Sequence, residues 1–171
     1  VEHVNMTAAP QVVYLTVDQD GGSVLPALVD VHSVVALVPL ASPATDCGSV
    51  GTAGVLGTGV VYGTLVGHNA TLDPGATGCS GAPAPGGEAL FRVELQPGEG
   101  IDASLPDPFG QHLYLVSDCS DPATCVVGAL ANPGPARVVW ANTSGTVEQW
   151  TLVVDGGPGM SSPVYRLDTV L

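Results

Sequence analysis

Short apolar runs separated by turn residues fill the chain, and few of them are long enough for a helix. Nine segments carry β-branched or aromatic enrichment: Val12–Val17, Val34–Val38, Val60–Val66, Ala89–Leu95, Gly100–Leu105, His112–Val116, Arg137–Ala141, Gln149–Val154 and Val164–Val170. Alternation is clearest over Ala89–Leu95, where Phe91, Val93 and Leu95 are expected to face a core while Arg92 and Glu94 face water. Between the runs lie Asp20-Gly21-Gly22, Asp73-Pro74-Gly75, Gln96-Pro97-Gly98, Asn132-Pro133-Gly134 and Asp155-Gly156-Gly157, each a turn signal. A helix cannot run through such punctuation, whereas strands joined by turns can. The pattern predicts an all-β fold, an antiparallel β-sandwich with additional N-terminal strands.

The texture shifts along the chain. Residues 1–44 are more continuously apolar and read as a strand-forming extension, with residues 45–171 as the sandwich proper. The stretch Thr77–Glu88 is the most linker-like, yet Cys79 within it predicts a tethered loop.

Charge narrows the function classes. There is no lysine, the three arginines are Arg92, Arg137 and Arg166, and 16 acidic residues bring the net charge to -13. Nucleic acid and anionic membrane surfaces need cationic groups to neutralise phosphate, so neither is an expected partner. The longest apolar stretch, Leu25–Leu40, is broken by Pro26, Asp30, His32 and Pro39 and does not read as a membrane span. A start at Val1 without a leader is expected of a chain whose secretion signal has been removed, or of a piece of a longer protein.

Four cysteines fit an oxidising compartment, hence an extracellular or cell-surface location. The nearest pairing joins Cys119 to Cys125 around Pro122, a bridge worth roughly 2.4 kcal/mol by loop entropy. Cys47 and Cys79 then form the second bridge, worth roughly 3.7 kcal/mol on the same scale.

Several longer motifs follow one another in a recognisable order. A cysteine precedes the run Val61-Tyr62-Gly63-Thr64-Leu65-Val66-Gly67-His68-Asn69, and a strand with a Pro-Gly turn follows from Leu90 to Gly100. Next come LYLVSDC (Leu113–Cys119), the second cysteine Cys125, WANTSGTVEQWTLVVDG (Trp140–Gly156) and VYRLDTV (Val164–Val170). From about residue 47 to 171 the chain resembles the bacterial pre-peptidase C-terminal (PPC-like) domain family in its cysteine-containing secreted form. That resemblance implies a small antiparallel sandwich of jelly-roll type, without catalysis, of the kind that accompanies secreted proteases and surface proteins.

Reactive motifs are sparse. Gly78-Cys79-Ser80-Gly81 is not a nucleophile elbow, and Gly159-Met160-Ser161-Ser162 lacks the closing glycine. His3, His32, His68 and His112 show no metal-ligand spacing and read as solvent-facing or hydrogen-bonded. Gly54-Val55-Leu56-Gly57-Thr58-Gly59 has the glycines of a phosphate loop but no lysine, so a Gly-rich strand or bulge is the better reading. No cofactor is expected. Asp18 with Asp20, and Asp118 with Asp121, are weak calcium candidates, and turn-capping aspartates are the better reading. Asn5, Asn69 and Asn142 head N-x-Ser/Thr sequons and are glycosylation candidates.

A secreted, non-enzymatic structural protein, a subunit of an extracellular fibre or surface assembly, fits these features best. Val12, Val13, Tyr14, Leu15, Thr16 and Val17 are the assembly candidates, self-associating by β-strand addition. The alternative is an accessory domain that binds polysaccharide or protein, with Trp140, Trp150 or Tyr114 as an exposed platform. Core packing is the competing expectation for those aromatic residues.

Overall fold

The computed structural model describes residues 42–75, 78–107, 109–158 and 160–171. They form eight strands: β1 (Gly59–Thr64), β2 (Glu88–Leu95), β3 (Gly100–Leu105), β4 (Gln111–Val116), β5 (Cys125–Leu130), β6 (Ala136–Ala141), β7 (Glu148–Gly156) and β8 (Val164–Val170). A one-turn helix, α1 (Cys47–Val50), precedes them, and a single 3-10 turn spans Pro122–Thr124. The strands make two antiparallel four-stranded sheets, ordered β1-β8-β3-β6 and β2-β7-β4-β5. This alternation between layers is the jelly-roll winding of two Greek keys.

Seven of the expected strands are present, and Val12–Val17 and Val34–Val38 lie outside the described residues. The eighth, β5, is one that periodicity misses. Its residues CVVGAL do not alternate, and its pairing with β4 is set by the tight turn before it.

The two sheets are covered differently. Phe91, Val93, Leu95, Leu113, Leu115, Leu152 and Val154 of the second sheet meet Val61, Ile101, Leu105, Val138, Tyr165 and Leu167 of the first in the main core. Arg92 and Glu94 alternate outward and pair with each other, as the β2 pattern predicts. The far face of the second sheet is buried as well. There Leu90, Val153 and Tyr114, register partners across β2, β7 and β4, pack with Ala44, Val50 and Leu72 into a second cluster. Residues 44–56, 66–75 and 78–87 therefore act as a third layer.

All four predicted cysteines are bridged, but the pairing corrects the sequence-based one. Cys47 joins Cys119, and Cys79 joins Cys125, with Cα–Cα separations of 5.4 and 5.8 Å. The Cys119–Cys125 loop needs no bridge of its own. Asp118 and Asp121 accept from the backbone within it, and Thr124 Oγ1 bonds both Asp118 and Asp121. The crossed pairs instead tie both covering segments to the β4–β5 turn. Across 72 and 46 residues they are worth roughly 4.4 and 4.0 kcal/mol by loop entropy, more than the local arrangement. Gly128 makes room for this layer, since a Cβ there would lie 3.0 Å from Cys79 Sγ and 2.9 Å from Tyr114 Cβ.

Cleavage before Asp121 separates Cys119 from Cys125, so a non-reducing digest reads the pairing directly. Mass spectrometry should find Cys119 with Cys47, and Cys125 with Cys79; a Cys119–Cys125 link would contradict the crossed staple. Replacing Cys79 and Cys125 by serine should lower unfolding stability by about 3–4 kcal/mol in chemical denaturation.

Candidate functional site

Charged side chains on a sheet are expected to face water, yet one row here does not. Glu88 on β2 opposes Asp155 on β7, and Asp155 opposes His112 on β4, so the three share the covered face of the second sheet. Each is 0% exposed. A cover, residues 66–75 and 78–87, lies over them. Glu88 anchors it: one carboxylate oxygen accepts from the Thr71 amide and hydroxyl, the other from the Leu72 amide at 2.8 Å. The Glu88 amide donates to Asn69 O at 3.0 Å, and its carbonyl lies 2.8 Å from His68 Nδ1. Asp73 Oδ1 closes the segment on itself by accepting from Gly75 and Ala84, at 2.8 and 2.9 Å. Those amides hold the Asp73 carboxyl below its usual range.

Asp155 has less support. Tyr114 donates its hydroxyl to Oδ2 at 2.7 Å, while Oδ1 has no hydrogen-bond partner. Burial pushes the Asp155 carboxyl up to about 8, and the Glu88 charge adds to this against the Tyr114 hydroxyl and the Gly156 amide. Two adjacent buried carboxyls do not both ionise readily, and Asp155, with one side-chain donor against the three donors to Glu88, is held toward its protonated form. His112 corrects the expectation of a solvent-facing or hydrogen-bonded ring. Both its nitrogens are buried and unpartnered, and burial holds its pKa below the ordinary value against the attraction of Asp73. Its ring packs so close to Gly157 that a Cβ there would come within 2.7 Å of Nε2.

The outer face of the first sheet is the open counterpart. Arg137 grips Asp102 through two nitrogens, and Arg166 pairs with Asp168 at 2.8 Å. The Arg137 guanidinium holds the Asp102 carboxyl below its usual range. Val60, Val139 and Val170 are exposed beside these pairs. A shallow depression of about 390 Å³ runs across Val60, Asp102, Ser104, Arg137, Asp168 and Val170.

The strand edges differ from one another. β2 is capped by Ala44, which exchanges two backbone bonds with Leu90, and by Leu56, which donates to Arg92 O. β5 is tied to Cys79 by the bridge at Cys125, but no further strand pairs with its outer edge among the described residues. On the first sheet, the Asn142 N–Glu99 O bond sets the phase of the β3–β6 ladder. The backbone groups of Arg137, Val139 and Ala141 then point away from β3. Among the described residues no strand pairs with that edge, nor with the outer edge of β1.

The other sequence-derived candidates fall as follows. Asp118 Oδ1 accepts from the Ser120 amide and hydroxyl, and Asp121 Oδ1 from the Ala123 amide, so both cap turns. Asp18, Asp20, Asn5 and the strand Val12–Val17 lie outside the described residues. Asn69 is exposed. Asn142 is a correction, because its side chain is 1% exposed and fully used. Its Nδ2 donates to Leu95 O and Thr146 O, and its Oδ1 accepts from Ser144, so the folded chain leaves no room for a glycan there. Tyr114 is buried and leaves the aromatic platform. Trp140 and Trp150 are half-buried and stack edge to face at 5.2 Å against the main core, as the core-packing expectation has it. Among the described residues no group of acidic, histidine or cysteine side chains is placed to hold a metal ion, and no helix is long and apolar enough to cross a membrane.

No family model, no curated protein and no solved structure matches the chain.

The buried row predicts a pH dependence with a definite sign. A carboxyl raised in the folded state stabilises fully below its unfolded pKa, and that stability is lost as pH rises through about 8. His112, lowered in the folded state, works oppositely, losing stability as pH falls below its ordinary value. Between pH ~6.5 and ~8 the Asp155 slope dominates, and denaturant unfolding should show a loss of about 2 kcal/mol. Asp155→Asn should flatten that slope.

Proposed function

We propose that this protein is a secreted, non-enzymatic structural subunit that self-associates by β-strand addition. The observation that carries the reading is unpaired strand edge: β2 is capped by Ala44 and Leu56, whereas among the described residues β1 and β6 of the first sheet and β5 of the second pair with no further strand, and β5 is interrupted by Gly128 and tied at Cys125 by its bridge. An unpaired strand edge is a template for another chain. β6 is the better acceptor. Its residues Ala136–Ala141 contain no proline, glycine or lysine to blunt it, and Val139 stands exposed beside it. β1 carries Gly59 and Gly63, which weaken a strand. The donor in this reading is the β-patterned segment Val12–Val17 of a neighbouring copy.

The bridges and the scarcity of charge support an extracellular setting. The PPC-like resemblance of the sequence implies a module without catalysis, which supports the same reading. A second reading, polysaccharide binding, is favoured only by the shallow depression where Asp102, Ser104 and Asp168 lie beside Val60 and Val170. A glycan array separates it from assembly.

Electron microscopy of the purified chain should show filaments or ordered arrays. Deleting residues 1–30 should abolish them while the circular dichroism of the sandwich persists. Val139→Pro, at a position whose amide faces the open edge, should do the same. Discrete monomers under all conditions, with wild type and variants alike, would contradict the assembly reading.

A further inference from the structure

The row under this cover contains two groups that ordinary packing does not explain. Asp155 Oδ1 and both ring nitrogens of His112 are buried without partners, although the two residues directly oppose each other across β7 and β4. Side chains so placed have Cβ atoms about 5 Å apart, within reach of one rotation about χ1. Among the described residues the titratable groups facing this point are Glu88 from β2, Asp155 from β7, His112 and Tyr114 from β4, and His68 and Asp73 from the cover. Among them Glu88 is the only link that belongs to both the row and the cover, because its carboxylate holds Thr71 and Leu72.

We propose that the Glu88–Asp155–His112 row is a proton-dependent latch that holds a cover, residues 66–75 and 78–87, closed over the second sheet. With Asp155 protonated, the row does not set two carboxylate charges side by side, and the Glu88 side chain keeps its three donors. When the Asp155 O–H bond breaks and its proton leaves to solvent base, two carboxylates stand side by side in the buried row. Solvating them requires the cover to lift, and lifting costs the Glu88 bonds to Thr71 and Leu72. The cover stays attached at Cys79–Cys125, so it opens as a tethered flap and uncovers Leu90, Tyr114 and Val153. His112 adds no charge to the closed row near neutral pH, because burial outweighs the attraction of Asp73 and holds its pKa below the ordinary value. Opening therefore follows rising pH. The device is independent of strand addition at β6.

Residue-resolved hydrogen exchange tests it on the intact, oxidised chain. The amides of Thr71, Leu72, Ala84 and Glu88 report the cover, and those of Leu113, Leu115 and Val154 report the main core. After correction for intrinsic exchange, cover protection should fall by about tenfold or more between pH ~6.5 and ~8, while cover amides exchange faster than core amides throughout. Asp155→Asn, which keeps the shape and loses the titration, should hold the cover equally closed at both values. Flat cover protection in the wild type would overturn the latch whatever the variant does. The same slope in Asp155→Asn, or cover amides that exchange only together with the core, would overturn it too.

Discussion

Burying a sheet on both faces with only a one-turn helix and irregular chain to cover one of them is the constraint on which this molecule turns. The second sheet gives one face to the sandwich core and the other to irregular chain, whose backbone polar groups must find partners under burial. The partners come from unusual places. The Glu88 carboxylate serves Thr71 and Leu72, Asp73 serves Gly75 and Ala84, and Asp46 caps α1 through the Ser49 amide. The two crossed disulfides then remove the entropy that would otherwise let such a layer peel away. Acidic residues in this chain are thus partly structural, and the large negative charge does not all sit in solvent.

The asymmetry between the sheets follows from that investment. One sheet is covered on its far face, stapled by disulfides and capped along β2; the other keeps an exposed outer face, with no strand beside β1 or β6 among the described residues. All three arginines lie on outward-facing positions in ion pairs with carboxylates on the same strand or an adjacent one. Exposed pairs of this kind add little stability. Their effect is to keep the outer face of the first sheet locally neutral in a strongly acidic protein, which lowers the electrostatic cost of bringing another chain against it.

Much of the sandwich was legible in the sequence, because period-two burial and Gly/Pro turns are local signals. Phe91, Val93 and Leu95 face the core as their alternation dictates, and Gly98 takes positive φ in the Gln96-Pro97-Gly98 turn. What could not be read was set by register. Glu88, His112 and Asp155 look like strand-end residues beside turns, and only the pairing of β2, β7 and β4 lines them up under a cover. The cysteine pairing failed for the same reason: short sequence distance favoured Cys119 with Cys125, while hydrogen bonds had already closed that loop. Asn142 showed its sequon but not its burial, although Ser144 and Thr146 nearby offered the partners that consume it. Strand β5 was hidden by Gly128, a residue that weakens a strand pattern and is needed here for the close approach of Cys79 and Tyr114.

The account gives β6 the central role, as the edge through which one copy meets the next. Amide exchange at Arg137, Val139 and Ala141, compared between dispersed and assembled protein, measures this directly. Strong protection of these three amides on assembly, with the β1 amides unchanged, is the predicted result. Equal exchange of the three in both states would show that the chains meet elsewhere.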